Sequence, residues 1–305
     1  MTTNGSGPAG AVVVTGASTG IGEACALRLD SMGFIVFAGV RKEADGQALR
    51  QKASSRLTPV MLDVTDSESI TAAARQVGDA TGGAGLSGLV NNAGISVAGP
   101  LEFVPIDELR RQLEVNVVGQ VAVTQAFLPL LRLRRGRIVN IGSVSGRLAT
   151  PFVGPYAASK FAMEAVTDAL RIELRPWRMH VAIVEPGSIA TPIWDKARSD
   201  ADRLMAALPE RAHRLYDDAV RVMLSFADET AKRGIAPDAV AKAVAHALTA
   251  KQPKTRYLVG TDARLQAVLA KLVPDRLRDT LIQRQLKLPA AAPDATAAEE
   301  AAPAH

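Results

Sequence analysis

Tyr156 and Lys160 stand four residues apart in a stretch that opens with Gly154-Pro155 and runs on through Ala157, Ala158 and Ser159. The Gly-Pro pair reads as a helix start, which puts the two side chains about one turn apart on one face. A phenol at its ordinary pKa of about 10 is a poor acid–base group at neutral pH. An ammonium held one turn away stabilises the phenolate and is expected to lower that value. Ser143, thirteen residues upstream of Tyr156, can donate to a carbonyl or alkoxide oxygen as charge develops there. Each of these residue types alone is commonly a surface or capping group. Together they describe proton transfer at a C–O centre.

A second constellation lies near the start of the chain. Val12-Val13-Val14 runs into Thr15-Gly16-Ala17-Ser18-Thr19-Gly20-Ile21-Gly22 and then into a helical stretch. A glycine-rich turn between a buried strand and a helix lets backbone N–H groups approach a pyrophosphate at the positive helix end. Gly16 permits the tight turn, Gly20 the close backbone approach and Gly22 the packing of helix on sheet. The expected contacts are Gly16, Ser18, Thr19, Gly20, Ile21 and Gly22. The next strand ends in Val40-Arg41-Lys42, with no carboxylate before Glu43. An acidic residue there would accept from the 2′-hydroxyl of NAD, whereas Arg41 and Lys42 can pair with a 2′-phosphate. The sequence therefore favours NADP(H), with NAD(H) as the alternative.

These groups need a frame that brings strand ends together. Continuous apolar runs at 11–14, 34–40, 59–62, 88–91, 137–141, 180–184 and 256–259 read as strands buried on both faces. Helix-length stretches at 21–32, 67–80, 107–134 and 157–175 alternate with them, which implies βαβ crossovers. The expected fold is α/β: one doubly wound domain over 11–288, with a seven-stranded parallel sheet and helices on both faces. Residues of about 191–237 carry no strand pattern and read as a helical lid inserted after the sixth strand. Phe152, Val153, Trp194 and Met205 are expected to wall an apolar cleft beneath it, which suits a small apolar alcohol or ketone. Arg147 and Lys196 are the nearest candidates to anchor an acidic substrate. Residues 1–10 are expected to be flexible, and the Ala/Pro-rich end at 289–305 to be a disordered tail.

The balance of the 305 residues excludes several other classes. Thirty-six basic against 31 acidic residues give +5, too weak a bias for a nucleic-acid binder without a focusing cluster. Four histidines and one cysteine build neither a Cys/His zinc site nor a disulfide framework, so no metal site is expected. No run approaches 18 uninterrupted apolar residues, and a soluble, cytoplasmic protein is the expectation. Lys251, Lys254, Arg256, Arg264, Lys271, Arg276, Arg278, Arg284 and Lys287 gather near the end. They read as a solvated helical face, with peripheral membrane contact or an oligomer contact as the sharper alternative. Cys25 reads as a small buried packing residue.

Three further segments fall at strand ends: 91–94 (Asn-Asn-Ala-Gly), Asp63-Val64 and Pro186-Gly187 with Thr191. With the glycine turn, Ser143 and the Tyr156/Lys160 pair, they make the chain resemble the short-chain dehydrogenases/reductases over about 12–193, and more loosely to 288. The stretches 62–65, 137–140 and 184–187 look most like the branch of retinol and 17β-hydroxysteroid dehydrogenases. The resemblance implies a Rossmann-type domain in which Tyr156 gives or takes the proton and Ser143 orients the substrate oxygen. It implies that Lys160 binds the nicotinamide ribose and tunes Tyr156, and that Asn116 holds a water in a relay ending at Lys160. It also implies that Asp63 and Val64 meet the adenine and that Asn91, Ala93 and Gly94 line the cofactor trough. Pro186, Gly187, Ile189 and Thr191 would close on the nicotinamide. Helices 107–134 and 157–175 would build a homodimer or homotetramer. Members of the branch commonly carry an N-terminal membrane anchor, which 1–10 does not resemble. A non-catalytic dinucleotide-binding sensor is the rival from another class.

Overall fold

The structure is a computed structural model and describes residues 10–288. Seven strands, β1 (Ala11–Val14), β2 (Ile35–Val40), β3 (Leu57–Met61), β4 (Gly88–Asn91), β5 (Arg137–Ile141), β6 (His180–Pro186) and β7 (Arg256–Val259), form one parallel sheet. Its order is β3-β2-β1-β4-β5-β6-β7. The helices are α1 (Gly20–Ser31), α2 (Glu43–Arg50), α3 (Ser67–Ala80), α4 (Ile106–Leu113), α5 (Gly119–Arg134), α6 (Gly154–Glu173), α7 (Ile193–Ala206), α8 (Glu210–Arg233), α9 (Asp238–Thr249), α10 (Thr261–Leu272) and α11 (Asp275–Gln285).

The period-two alternation of the strands divides the core into two layers. Val12, Val14, Val36, Val90, Val139 and Ala182 pack with Cys25 and Leu29 of α1 and Val240 and Val244 of α9. Val13, Phe37, Leu89, Ile138 and Val181 point the other way, onto Ile70 and Val77 of α3 and Val123, Phe127 and Leu131 of α5. Both faces of the strands are therefore covered, which is why the runs are mostly apolar and do not alternate in polarity. Each large side chain so buried contributes about 2 kcal/mol. Cys25 is fully enclosed in the first layer, and burial pushes its thiol up to about 12.

The sheet grows outward from β1 in both directions, so a crevice opens at the carboxyl ends of β1 and β4, the point where ligands of open α/β sheets collect. The glycine turn, Arg41, Asp63, residues 91–94, Ser143 and Gly187 all follow carboxyl ends of these strands.

Two elements, β3 and the helix at 107–134, depart from the sequence reading in ways that bear on the sheet and the core. β3 starts two residues earlier than expected and takes in Pro59, which pairs with Ala38. β3 is an edge strand, where a residue without an N–H loses no ladder bond on its open side. The single helix expected at 107–134 is broken by a π-helical turn at Glu114–Val118. The joined stretch Ile106–Arg134 is long and apolar enough by length and composition to cross a membrane, yet Val123, Phe127 and Leu131 within it are fully buried in the core. The inserted segment is helical, as α7 and α8, and its base is closed by a parallel bridge between Ile189 and Ile235. The expectations for 289–305 and for all but the last of residues 1–10 lie outside the described residues; Gly10 itself is buried beside β1.

Candidate active site

The glycine turn is held from two sides. Thr15 Oγ1 accepts the N–H groups of Asn92 (2.9 Å) and Ala93 (3.0 Å), while Asn92 Nδ2 donates to the carbonyls of Thr15 (2.9 Å) and Gly16 (3.0 Å). Gly16 and Gly20 both take φ of +62°, a backbone region costly for any residue with a Cβ. A Cβ on Gly22 would lie 2.2 Å from the Gly16 carbonyl oxygen and 2.4 Å from Asn92 Nδ2. Behind this turn, α1 starts at Thr19 with no side-chain cap, so its first N–H groups, those of Gly20, Ile21 and Gly22, face the crevice without a capping acceptor. A bare helix start behind a turn that tolerates no Cβ fits a dinucleotide pyrophosphate. Gly20 in turn faces the Thr191 methyl, 3.1 Å from where its Cβ would be, which brings the loop after β6 over the cradle.

The rest of the expected cofactor set divides. Arg41 and Lys42 are exposed just past the end of β2, and the Ala17 N–H ties the turn to the Gly39 carbonyl beside them (2.9 Å). Asp63 is partly exposed, with Oδ1 taken by the N–H (3.0 Å) and hydroxyl (2.8 Å) of Thr65. Val64 is instead a core residue: its side chain packs in the α3/α5 layer and its carbonyl lies against Gly119. Asn91 is also not a trough residue by its side chain. It is buried, donating to Thr124 Oγ1 (2.8 Å) and Asn140 Oδ1 (2.9 Å), and Asn140 passes the chain on to Thr167 (2.8 Å). Strand alternation explains this, since Asn91 falls on the face of Leu89, toward α5. The adjacent Asn92, together with Thr15, is what braces the turn; the sequence reading placed both within its motifs without this role.

Ser143, 8% exposed, accepts from the Ser145 N–H (3.1 Å) and is hydrogen-bonded to Tyr156. Lys160, 5% exposed, lies one turn beyond Tyr156 on α6 and donates from Nζ to the Ile141 carbonyl (2.9 Å). Burial pulls the Lys160 ammonium down to about 8. For Tyr156 the structure reverses the sequence expectation: burial raises the hydroxyl above its ordinary value, and the Ser143 hydrogen bond only partly opposes this. The reason is positional. Lys160 Nζ sits over the tyrosine ring, 5.6 Å from its centroid, and is directed at a main-chain carbonyl.

Asn116, in the π-helical turn, is fully buried with its side chain committed: Oδ1 accepts from the Ile95 N–H (2.9 Å), and Nδ2 donates to the Ile95 carbonyl (3.0 Å) and Ser159 Oγ (3.1 Å). Ser159 in turn donates to the Tyr156 carbonyl (2.7 Å). Gln112 makes a matching bracket on the Val97 N–H (2.7 Å) and Ile95 carbonyl (3.0 Å). The Asn116 side chain therefore fixes the loop after β4 against α6.

Tyr156 and Ser143 open into a cavity of about 560 Å³ whose apolar wall includes Leu148, Val153, Trp194 and Phe226. Trp194 Nε1 donates to the Ile189 carbonyl (2.8 Å), which fixes α7 to the loop after β6. Phe152 and Met205 are not part of this wall. Phe152 sits in a turn at φ +66° and packs edge-on against Tyr216, with centroids 6.1 Å apart. Arg147 cannot anchor an acidic substrate, because its guanidinium is paired with the buried Glu185 carboxylate. Lys196 is exposed and away from the cavity lining.

Residues 10–202 match the family model described as short chain dehydrogenase. An NADPH-dependent 3-dehydrocapnine reductase of Ornithobacterium rhinotracheale is 38% identical over 280 residues, covering 90% of this chain and 96% of its own. Retinol dehydrogenase 5 of Mus musculus is 38% identical over 291 residues, covering 92% and 89%. A crystal structure of a short chain dehydrogenase from Burkholderia cenocepacia in complex with NADP superimposes with a TM-score of 0.69 at 26% identity, over 92% of this chain and 99% of that one. The turn at the switch point and the tyrosine at the cavity wall thus sit in a chain that belongs to the short-chain dehydrogenase family, on the branch of the retinol and 17β-hydroxysteroid dehydrogenases, and that is an NAD(P)-dependent oxidoreductase acting on CH–OH groups.

Proposed function

We propose that the protein moves a hydride between NADP(H) and an apolar secondary alcohol or ketone of steroid, retinoid or lipid-like character. The observation that carries this reading is the Tyr156 hydroxyl, hydrogen-bonded to Ser143 and facing a mostly apolar cavity beside the glycine cradle. When bound, the nicotinamide supplies or accepts the hydride. The residues that would hold the dinucleotide are Gly16 to Gly22 at its pyrophosphate, Asp63 at its adenine end, Ala93 and Gly94 along its length, and Gly187, Ile189 and Thr191 at its far end. Arg41, next to Val40 at the strand end where NAD-selective members carry a carboxylate, supports a 2′-phosphate, as does the NADPH dependence of the 38% identical reductase.

In the reduction direction Tyr156 gives its hydroxyl proton to the substrate oxygen, and Ser143 donates a hydrogen bond to the same oxygen as charge gathers on it. A phenol held above its ordinary pKa is a proton donor at neutral pH, which suits this direction. Lys160, charged at pH 7, lies behind the ring with its Nζ held by the Ile141 carbonyl, where it supports the packing of Tyr156. Asn116 and Ser159 act by holding the Tyr156 main chain in place.

The test is Tyr156→Phe. Dinucleotide affinity should stay within about threefold while turnover falls by about a hundredfold or more. Near-normal turnover by this variant would remove the assignment, and absence of any substrate-dependent change at the nicotinamide absorbance band would favour a sensor. A second reading, recruitment to a membrane surface, is favoured by one feature. Leu265, Val268 and Leu272 on α10 and Leu277 and Leu281 on α11 are exposed, and Lys271, Arg276 and Arg284 are exposed among them. Co-sedimentation with anionic but not zwitterionic vesicles supports it; no co-sedimentation with either sinks it. Exposed Leu133 on α5 and Phe161 and Ile172 on α6 support a homo-oligomer built on those helices, checked by sedimentation equilibrium.

A further inference from the structure

Asp262 belongs to none of the motifs that define the site, yet its carboxylate stands in the cavity wall with Gly187, Ser188 and Tyr156. It lies in the first turn of α10, just after β7. Its Oδ2 accepts the Ser188 N–H at 2.7 Å. Two glycines make room for it. A Cβ on Gly187 would lie 2.3 Å from both carboxylate oxygens, and a Cβ on Gly260 would lie 2.3 Å from Oδ1. Side chains on Gly187 and Gly260 would meet the carboxylate where it lies, so in this position it fills space that both neighbours leave open. Next to it, the Gly187 N–H donates to the Val259 carbonyl (2.9 Å), the last residue of β7. On the other side the Ile235 N–H reaches the Ser188 carbonyl (3.0 Å) and the Ala190 N–H reaches the Ile235 carbonyl (3.0 Å).

Resting on the functional reading above, in which the loop after β6 closes on the nicotinamide end, we propose that Asp262 is the positioning residue that fixes this loop over the dinucleotide trough. The loop's main-chain contacts run to β7 and to the segment after α8, and the Trp194 indole N–H on the Ile189 carbonyl ties it to α7. Asp262 ties the part of the loop nearest β6 to α10 by a side chain. A carboxylate accepting from a backbone N–H in a partly buried setting is among the stronger single hydrogen bonds. The loop leads directly to Thr191, whose methyl faces Gly20 of the phosphate cradle. Loss of the Ser188 contact therefore loosens the loop where it must meet the dinucleotide, while Tyr156, Ser143 and Lys160 are held by other elements.

Asp262→Ala should raise the dissociation constant for the reduced dinucleotide about tenfold, with turnover at saturating dinucleotide within about threefold of wild type. In the dinucleotide-free protein, hydrogen exchange of the Ser188 amide should accelerate by at least about tenfold, with β6 amides unchanged. Asp262→Asn, which keeps an acceptor of the same length, should restore both values to within about threefold of wild type. Asp262→Glu keeps the charge at the helix start but adds a methylene where Gly187 and Gly260 leave no room, so it should weaken binding as Ala does. Unchanged affinity or unchanged Ser188 exchange in Asp262→Ala overturns the proposal, as does an Asn variant no better than Ala. If the wild-type chain binds no nicotinamide dinucleotide at all, the functional reading falls, while the exchange experiment still decides whether Asp262 holds the loop.

Discussion

Replacing Lys160 by methionine should stabilise the dinucleotide-free protein at pH 7 while removing its activity. The Lys160 ammonium titrates near 8 in the fold against 10.5 in the ordinary state, because it is enclosed beneath Tyr156. A gap of that size disfavours the charged native form by about 3 kcal/mol. Below pH 8 both folded and unfolded chains carry the proton, and the full penalty applies. Between 8 and 10.5 the unfolded chain still holds the proton while the folded one releases it, so stability rises with pH through that window. Methionine has a similar length and no charge; it removes the penalty but leaves the Ile141 carbonyl without the donor now 2.9 Å away, which costs about 1–2 kcal/mol. The net gain is therefore about 1–2 kcal/mol at pH 7, shrinking as pH approaches 9.5. Urea unfolding of both proteins at pH 7.0, 8.5 and 9.5 reads this directly. A variant less stable than wild type at pH 7, or a difference that does not fall with pH, refutes the account of a strained buried ammonium.

Gly22→Ala places a methyl against Gly16 and Asn92, so dinucleotide affinity should drop at least about tenfold with the fold retained by circular dichroism, given the 2.2 Å clearance. Arg41→Ala should weaken NADP(H) and leave NAD(H) untouched in parallel titrations; equal loss of both, or none, would speak against a 2′-phosphate contact. Glu185→Ala strips Arg147 of its carboxylate partner, while Arg256, 3.7 Å away, keeps Glu164 and Asp168, and should lower unfolding free energy by about 3 kcal/mol. A denaturation midpoint within error of wild type would show that Arg147 finds another partner without it.

Much of the frame was legible because each strand is a short apolar run between helices, and five of the seven runs begin where the strands do. Pro59 misled the boundary of β3, since only the sheet order reveals that this strand has a free edge. The π-helical turn in the long helix left no trace in periodicity, because Val115, Val117 and Val118 continue the apolar pattern across it. At the site, the chemistry-bearing residues were readable from type and spacing, but where their atoms point was not. Asn91 illustrates a signal that was available: counting by twos from Leu89 assigns it to the α5 face. Phe152 and the direction of the Tyr156 shift were not available, since a turn at positive φ and the depth of a pocket arise only from the assembled chain. The Asp262 slot depends on Gly187 and Gly260, 73 residues apart in sequence and adjacent only once β6 and β7 pair.

The thiol of Cys25 gives the folded chain an internal clock. With its proton affinity pushed up to about 12 and its sulfur sealed between α1 and α9, the native molecule holds almost no reactive thiolate at neutral pH. Because this is the one cysteine in 305 residues, any labelling by an added disulfide reagent counts openings of that helical layer alone. The layer also backs the helix whose start forms the phosphate cradle, so the labelling rate in the presence and absence of dinucleotide would report how firmly an occupied cradle clamps the interior behind it.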